Sequence, residues 1–355
     1  MKKLVILSAF LSPYRSGAEA MVEEVSVRLA DEFDITIVTA RMSKTLKKSD
    51  MLGKKVKVIR VGFGMPMDKW LYPFLAPLKA GSLKPDIIHA VLETFAGLAL
   101  FFCRCGARKV LTLQTTNRTF LKGMILRYPD TVTAISTDLV RIAAELGCHD
   151  VIRIPNGIDR EALKAACQNF PKDSGRVLFV GRLEPMKGID VLLKAFAQAI
   201  KGLDPSVHLR IVGAGSLLHT LQSLARELEI DHRVHFVGYI SGSELFREYA
   251  TAEIFVGLSR SEALGNVFLE AQASGCAVLA TRVGGISDIV IDQQTGILVP
   301  ADDIDAAAKE LRSLLIDTSL RARLSIAAKK NAENYGWDEI TNLYRTMLKD
   351  QASVQ

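Results

Sequence analysis

Cysteine is scarce: the 355 residues hold five, at 103, 105, 148, 167 and 276, an odd count with no C-x-x-C pair. That argues against a disulfide framework or a zinc knuckle and fits a reducing cytoplasm. Cys103 and Cys105 form a C-x-C, but a metal would need two further ligands nearby, so buried thiols and no metal site are expected. Long apolar runs are also missing. The longest, around Phe95 to Cys103, is about half of the ~20 residues that cross a bilayer. The opening Met-Lys-Lys and the run Leu4 to Leu11 lack a small-residue cleavage pattern before Pro13, so this segment reads as a buried first strand rather than a signal peptide. There is no internal repeat and no low-complexity stretch.

What is present is a folding composition. With 49% hydrophobic residues the chain exceeds the ~250 to 300 residues at which one core stops growing, so two domains are expected. Charge divides unevenly between them. Residues 1–160 hold 24 Lys and Arg against 15 Asp and Glu, a charge of +9, and the remainder holds 21 against 24, or −3. Eight of the cations, Arg41, Lys44, Lys47, Lys48, Lys54, Lys55, Lys57 and Arg60, lie in one twenty-residue window with a single acid, Asp50. Such a window is either a solvated loop or a surface for an anionic partner.

Short β-branched runs alternate with longer amphipathic stretches, the pattern of β-α units around a parallel sheet. Strands are expected at 3–8, 34–39, 56–61, 86–90, 109–113, 131–135 and 151–154, then at 176–180, 207–212, 234–237, 254–256, 277–280 and 296–299. Each half thus has enough strands for its own doubly wound sheet. The seam falls between the turn Pro155-Asn156-Gly157 and Ser174-Gly175, giving a first domain 1–170 and a second 171–335, with a helix 336–355 returning to the first. Two such sheets bind ligands beyond their strand ends, in a cleft between them.

The strongest motif is Gly181-Arg182-Leu183-Glu184-Pro185-Met186-Lys187-Gly188, between the strand at 176–180 and a helix starting near Gly188. Glycine frees the strand exit to turn, and Arg182 and Lys187 can then converge on one anion beside a helix N-terminus, as a pyrophosphate requires. Ordinary surface is the plain alternative. The next piece, Ser261 to Ala271, puts Gly265-Asn266 at the start of a buried helix whose first amides, through Val267, can hold a phosphate or a sugar hydroxyl. Glu270 lies one turn inside it among Phe268, Leu269 and Ala271, where a carboxylate needs hydroxyl or N–H donors such as a ribose diol. Glu262 lies in the preceding loop.

With these residues in place, the chain resembles the retaining GT-B glycosyltransferases of family 4, glycosyltransferase group 1. The match runs through Ser16-Gly17-Ala18-Glu19, Asp86-Ile87-Ile88-His89, Ile154 to Asp159, Gly181-Arg182 to Lys187-Gly188, Glu262, Glu270, Gly275, Val283-Gly284-Gly285-Ile286 and Thr295-Gly296, nearly the whole chain. The resemblance implies a GT-B fold of two Rossmann-like domains and transfer of a hexosyl or N-acetylhexosaminyl group from a UDP- or GDP-sugar, with retention and without metal or cofactor. By position it gives the diphosphate to Arg182 and Lys187, the ribose to Glu270, and the transferred sugar to Glu262 and the amides of Gly265, Asn266 and Val267. Gly17, Gly181 and Gly213 complete the expected donor loops, with Arg182, Lys187 and Glu262 as the catalytic set.

The acceptor-side candidates are His89, which ends the strand at 86–90 and either faces the cleft or packs in the core, and Gln114. Gln114 stands where many members carry histidine; an amide cannot act as a base, so only hydrogen bonding to the sugar carries over. Ser16 and Asp288 stand where the family often has Gly and Glu. Glu93 reads as an acid preceding a helix at Thr94, and Asp303-Ile304-Asp305 as helix-start acids rather than a metal-binding D-x-D. Val212-Gly213-Ala214-Gly215 opens like a dinucleotide fingerprint, but Leu218 replaces its third glycine. The expected acceptor is a glycan or a lipid-linked molecule in cell-envelope or glycolipid synthesis. The basic window and the segment Met65 to Leu78, with Trp70, Tyr72 and Phe74, raise a peripheral position on an anionic membrane at the inner face of the cell; no nucleic-acid partner is expected. A nucleotide-sugar epimerase, a phosphorylase and a non-catalytic sugar-nucleotide-binding subunit are the alternatives on such an architecture.

Overall fold

The computed structural model describes residues 1–117 and 121–353. These form two α/β units. One comprises Met1–Gly157 together with the chain from Trp337 on; the other is Ile158–Gly336. The unit boundary thus lies at 157 rather than 170, because helix Arg160–Asn169 packs with the second unit, where the Cys167 thiol reaches the Ser274 carbonyl at 3.6 Å.

The first unit's sheet has eight strands: β1 Lys2–Leu7, β2 Phe33–Ala40, β3 Ser49–Leu52, β4 Val56–Val61, β5 Ile87–Val91, β6 Arg108–Leu113, β7 Thr131–Ala134 and β8 Val151–Arg153. Their order is β3-β4-β2-β1-β5-β6-β7-β8, parallel except for the antiparallel pair β3–β4. The second sheet is wholly parallel, in the order β11-β10-β9-β12-β13-β14, from β9 Arg176–Val180, β10 His208–Val212, β11 Val234–Gly238, β12 Ile254–Gly257, β13 Ala277–Thr281 and β14 Ile297–Val299. In each sheet the chain starts at the centre, runs to one edge, and returns to build the other side. Because parallel crossovers are right-handed, that reversal sends helices to both faces, and it opens a switch point beside β1 and β5 and another beside β9 and β12.

Every strand read from the sequence forms, with ends shifted by no more than one residue. The additional strand is β3, inside the basic window. Its residues are exposed or half-buried, so no apolar alternation marks it, and pairing with β4 alone creates it.

The fully buried runs Ile87–Val91 and Ala277–Thr281 show why both sheets read as continuous hydrophobic strands: helices cover both faces. The first core is completed from the far end of the chain. Trp337, Ile340, Tyr344 and Met347, on the helix Trp337–Ser353, are buried in one cluster with Met21 and Leu29 of the helix Gly17–Leu29. Gly157 admits this return, since a Cβ there would lie 2.5 Å from the Trp337 ring.

Candidate active site

At the switch point of the second unit, the loops leaving β9 and β10 meet backbone to backbone. The Gly181 amide donates to the Val212 carbonyl at 3.0 Å, and a Cβ on Gly213, whose φ is +142°, would lie 1.8 Å from the Gly181 oxygen. Leu183 donates to Ala214 at 2.9 Å, and Glu184 accepts from the Ser216 amide at 3.0 Å and its hydroxyl at 2.8 Å. Those Ser216 bonds hold the Glu184 carboxyl below its ordinary range. Any side chain at Gly213 would push the two loops apart.

The β9 loop continues as a single 3-10 turn, Pro185–Lys187, ending at Gly188 with φ +61°. A Cβ there would meet the Leu258 carbonyl at 2.0 Å, so this turn lies directly on the exit of β12. Arg260 clamps it from that side. Its amide donates to Met186 at 2.8 Å, its guanidinium forks onto Asp190 at 3.0 and 2.8 Å, and its Nε reaches Asp302 at 2.7 Å. The result fixes Lys187, whose ammonium pairs with the Glu262 carboxylate, both side chains about one-sixth exposed. Among the described residues one of its three ammonium hydrogens serves Glu262, and the other two are available for further hydrogen bonds.

Glu262 is itself held by the Val283-Gly284-Gly285 turn. The Gly285 amide donates to its carbonyl at 3.1 Å, and Gly284, at φ +49°, leaves only 2.0 Å between that carbonyl and a Cβ. Gly284 is therefore required for this close approach. Gly265, at φ +91°, caps the helix Asn266–Ala273 and lies against the Glu262 side chain, 3.1 Å from Cγ to a built Cβ. Glu262 thus lies beside the N-terminus of the helix that bears Glu270. The Tyr249 hydroxyl donates to Glu270 Oε2 at 2.7 Å, and burial first, then the neighbouring carboxylate, raises the tyrosine well above its ordinary pKa. Tyr249 was not singled out in the sequence because it lies on another helix, Ser243–Thr251. Arg182 is exposed, its guanidinium 3.6 Å from the Met186 sulfur. Asp303 caps the helix Ile304–Ile316, accepting from the Ala306 amide at 2.9 Å.

In the first unit Gly17 opens its helix behind Ser16, whose amide donates to Glu19 at 2.8 Å. Gln114 exchanges two hydrogen bonds with Asn156, at 3.1 and 2.9 Å, and both amides are buried. Its amide group is therefore already engaged within the fold. Glu93 directly precedes the helix Phe95–Phe102, capped at Thr94, but its side chain is turned to a partner the sequence did not suggest. Its side chain is 2% exposed and pairs at 2.9 Å with Lys122, 1% exposed, while accepting from the Gln114 amide at 2.9 Å and the Thr115 hydroxyl at 2.8 Å. Lys122 also donates to the carbonyls of Thr115 and Asn117. One buried ion pair thus holds the chain leaving β6, and its partners are too far apart in sequence to have been paired by spacing.

Of the two readings of His89, the structure shows the core one. It is 2% exposed, its Nε2 shares a 2.7 Å hydrogen bond with Thr112, and its ring lies 5.7 Å from that of Tyr344. Its placement is in the core, under the last helix, rather than on an acceptor surface.

Two outcomes follow for the first unit. Lys122→Met strands a buried carboxylate and should cost about 3 to 5 kcal/mol in urea unfolding, whereas adding Glu93→Gln should recover most of that loss. Burial brings the His89 pKa down to about 4. Below the unfolded value of ~6.5 the unfolded chain takes the proton first, so stability falls as pH drops from 6.5 and levels off near 4. His89→Gln should remove that contribution, on the order of 3 kcal/mol, when urea midpoints at pH 6.5 and pH 4 are compared.

Comparison with known proteins divides the chain in two. Residues 15–162 match the family model described as Glycosyltransferase Family 4, and residues 159–331 the one described as Glycosyl transferases group 1. A D-inositol 3-phosphate glycosyltransferase of Corynebacterium diphtheriae is 35% identical over 194 residues, 53% of this chain and 45% of that one. Its counterpart in Nocardiopsis dassonvillei is 32% identical over 254 residues, 65% of this chain and 59% of that one. The chain spans about half the length of the curated relatives it matches. Among solved structures, sucrose-phosphate synthase from Thermosynechococcus elongatus superposes with a TM-score of 0.85 at 21% identity, over 99% of this chain and all of that one. Anabaena HepE, solved with UDP and glucose, gives 0.77 at 21% identity over 98% of this chain and 100% of that one. At such identities the likeness establishes the GT-B fold.

Proposed function

The chain belongs to the group 1 glycosyl transferases of glycosyltransferase family 4, the two matched models running together from residue 15 to residue 331, and on that membership we propose that it transfers a sugar from a nucleotide-diphosphate donor to an acceptor with retention of configuration. The observation that carries the reading is the Lys187–Glu262 pair, held by glycine-mediated contacts beside the N-terminus of the helix bearing Glu270. Lys187, Arg182 and the first amides of that helix offset charge on the departing diphosphate. Glu270, held by Tyr249, accepts from the ribose hydroxyls. Glu262 and the amides of Gly265, Asn266 and Val267 bind the transferred hexosyl or N-acetylhexosaminyl group.

Attack comes from the face the diphosphate leaves. The acceptor hydroxyl forms the new bond to the anomeric carbon as the old carbon–oxygen bond breaks, and its proton passes to the leaving phosphate oxygen. No carboxylate nucleophile and no metal is needed on this path. The donor is a UDP- or GDP-sugar, a choice supported by HepE having been solved with UDP-glucose. The acceptor is a glycan or a lipid-linked molecule met at the inner face of the cell membrane.

Glu270→Ala and Arg182→Ala should each weaken binding of the cognate nucleoside diphosphate about ten- to a hundredfold by calorimetry with UDP and GDP, the loss of one charge-assisted hydrogen bond. Unchanged affinity in both variants would sink the donor assignment. Donor turnover should also persist in excess EDTA, because protein cations and helix amides meet the diphosphate; activity that returns only with manganese or magnesium would contradict this.

A further inference from the structure

The helix Asp68–Ser82 is apolar on two faces. Tyr72, Ala76 and Ala80 enter the core, where the Tyr72 hydroxyl donates to the Val38 carbonyl at 2.8 Å. The opposite stripe, Met67, Trp70, Leu71, Phe74 and Leu78, follows helical spacing and faces solvent, with Trp70 61%, Phe74 58% and Leu78 74% exposed. Phe102 extends it, stacked on Phe74 at 5.4 Å. So continuous an exposed apolar surface marks a binding face.

The basic window borders this stripe. Lys44 packs its backbone against Gly64, at the turn leading into the helix, where a built Cβ would come within 2.9 Å. Arg41 donates to the carbonyls of Leu46 and Lys44, and Arg60 to that of Lys47, so two arginines fix the backbone that carries the lysines. Lys44, Lys47 and Lys48 are exposed, and among the described residues no carboxylate pairs with them. Lys69 adds a cation 5.9 Å from the Trp70 ring.

We propose that this face docks on an anionic lipid bilayer, with Trp70, Phe74 and Leu78 entering the headgroup boundary while Lys44, Lys47 and Lys48 meet lipid phosphates. Apolar and aromatic side chains beside a lysine cluster match the two layers of such an interface. A two-fold pair of this chain would instead set the same lysine cluster against itself. Among the described residues no helix is long and apolar enough to cross a membrane, so attachment here is reversible and lateral. The inference deepens the acceptor side of the proposed function, since a surface-bound enzyme meets a lipid-linked acceptor in two dimensions, but its test involves no turnover.

The two tryptophans make the test direct. Trp337 is 6% exposed, so a change in emission on docking reports Trp70, and a Trp70→Phe variant supplies the blank. The full chain is mixed, without donor, with vesicles of phosphatidylcholine or of equal phosphatidylcholine and phosphatidylglycerol, and followed by emission and flotation. Anionic vesicles should shift the emission to the blue and carry the protein upward, less so at high salt. Replacing Lys44, Lys47 and Lys48 with glutamine should weaken flotation about a hundredfold, roughly fivefold per cation, and Phe74→Ser with Leu78→Ser should abolish the blue shift. No flotation with anionic vesicles, or equal flotation of the glutamine variant, would overturn the proposal. So would a lipid-free blue shift accompanied by self-association in ultracentrifugation, which would make the face a contact between copies. A failure here leaves the nucleotide-affinity test standing, and the reverse holds too.

Discussion

The candidate site depends on a steric constraint more than on any single charge: four backbone segments of the second unit approach too closely for a Cβ. Gly213 lies on Gly181, Gly188 on Leu258, Gly284 on Glu262, and Gly215 on Leu183, all at distances that only glycine permits. Glycine loses more conformational entropy on ordering than any other residue, so a cluster of it at strand exits costs stability. In exchange, the loops from β9, β10, β12 and β13 are fixed by backbone contacts. Lys187 and Glu262 then meet with most of their positions set by main chain rather than by side-chain rotamers.

Charge is handled in three settings. Glu93 and Lys122 are buried together and satisfied by neighbouring amides, hydroxyls and carbonyls, so they serve as structure. Lys187 and Glu262 retain some exposure, enough for a ligand to compete for their remaining hydrogen-bonding capacity. Lys44, Lys47 and Lys48 are in water, where each contributes little to folding and is free to act at long range. The same residue type thus passes from scaffold to site to surface as solvent access rises.

The sequence made the strands legible because buried parallel strands are short runs rich in β-branched residues with few charges, as in Ile87-Ile88-His89-Ala90-Val91. Gly181, Lys187, Glu262 and Glu270 were singled out through local motifs, and the structure pairs Lys187 with Glu262. What escaped depends on tertiary partners. Tyr249 and Glu270 are 21 residues apart, Glu93 and Lys122 are 29, and Gln114 and Asn156 are 42, and no periodicity links such positions. For His89 the sequence left a cleft-facing and a core position open, and the helix Trp337–Ser353 decides for the core by folding over it. Strand β3 carried no pattern because neither of its faces is buried. In each case a residue's neighbours in space, invisible along the chain, decided its role.

That last helix has a bearing on how the protein is made. Part of the first unit's core, Ile340, Tyr344 and Met347, is translated only after the whole of Ile158–Gly336. During synthesis the second unit can emerge and collapse as an uninterrupted segment, whereas the first must wait with Met21 and Leu29 uncovered. The unit holding Met1–Gly157 therefore closes its core only after Ile158–Gly336 has been made, and over that interval its apolar face lies open to water.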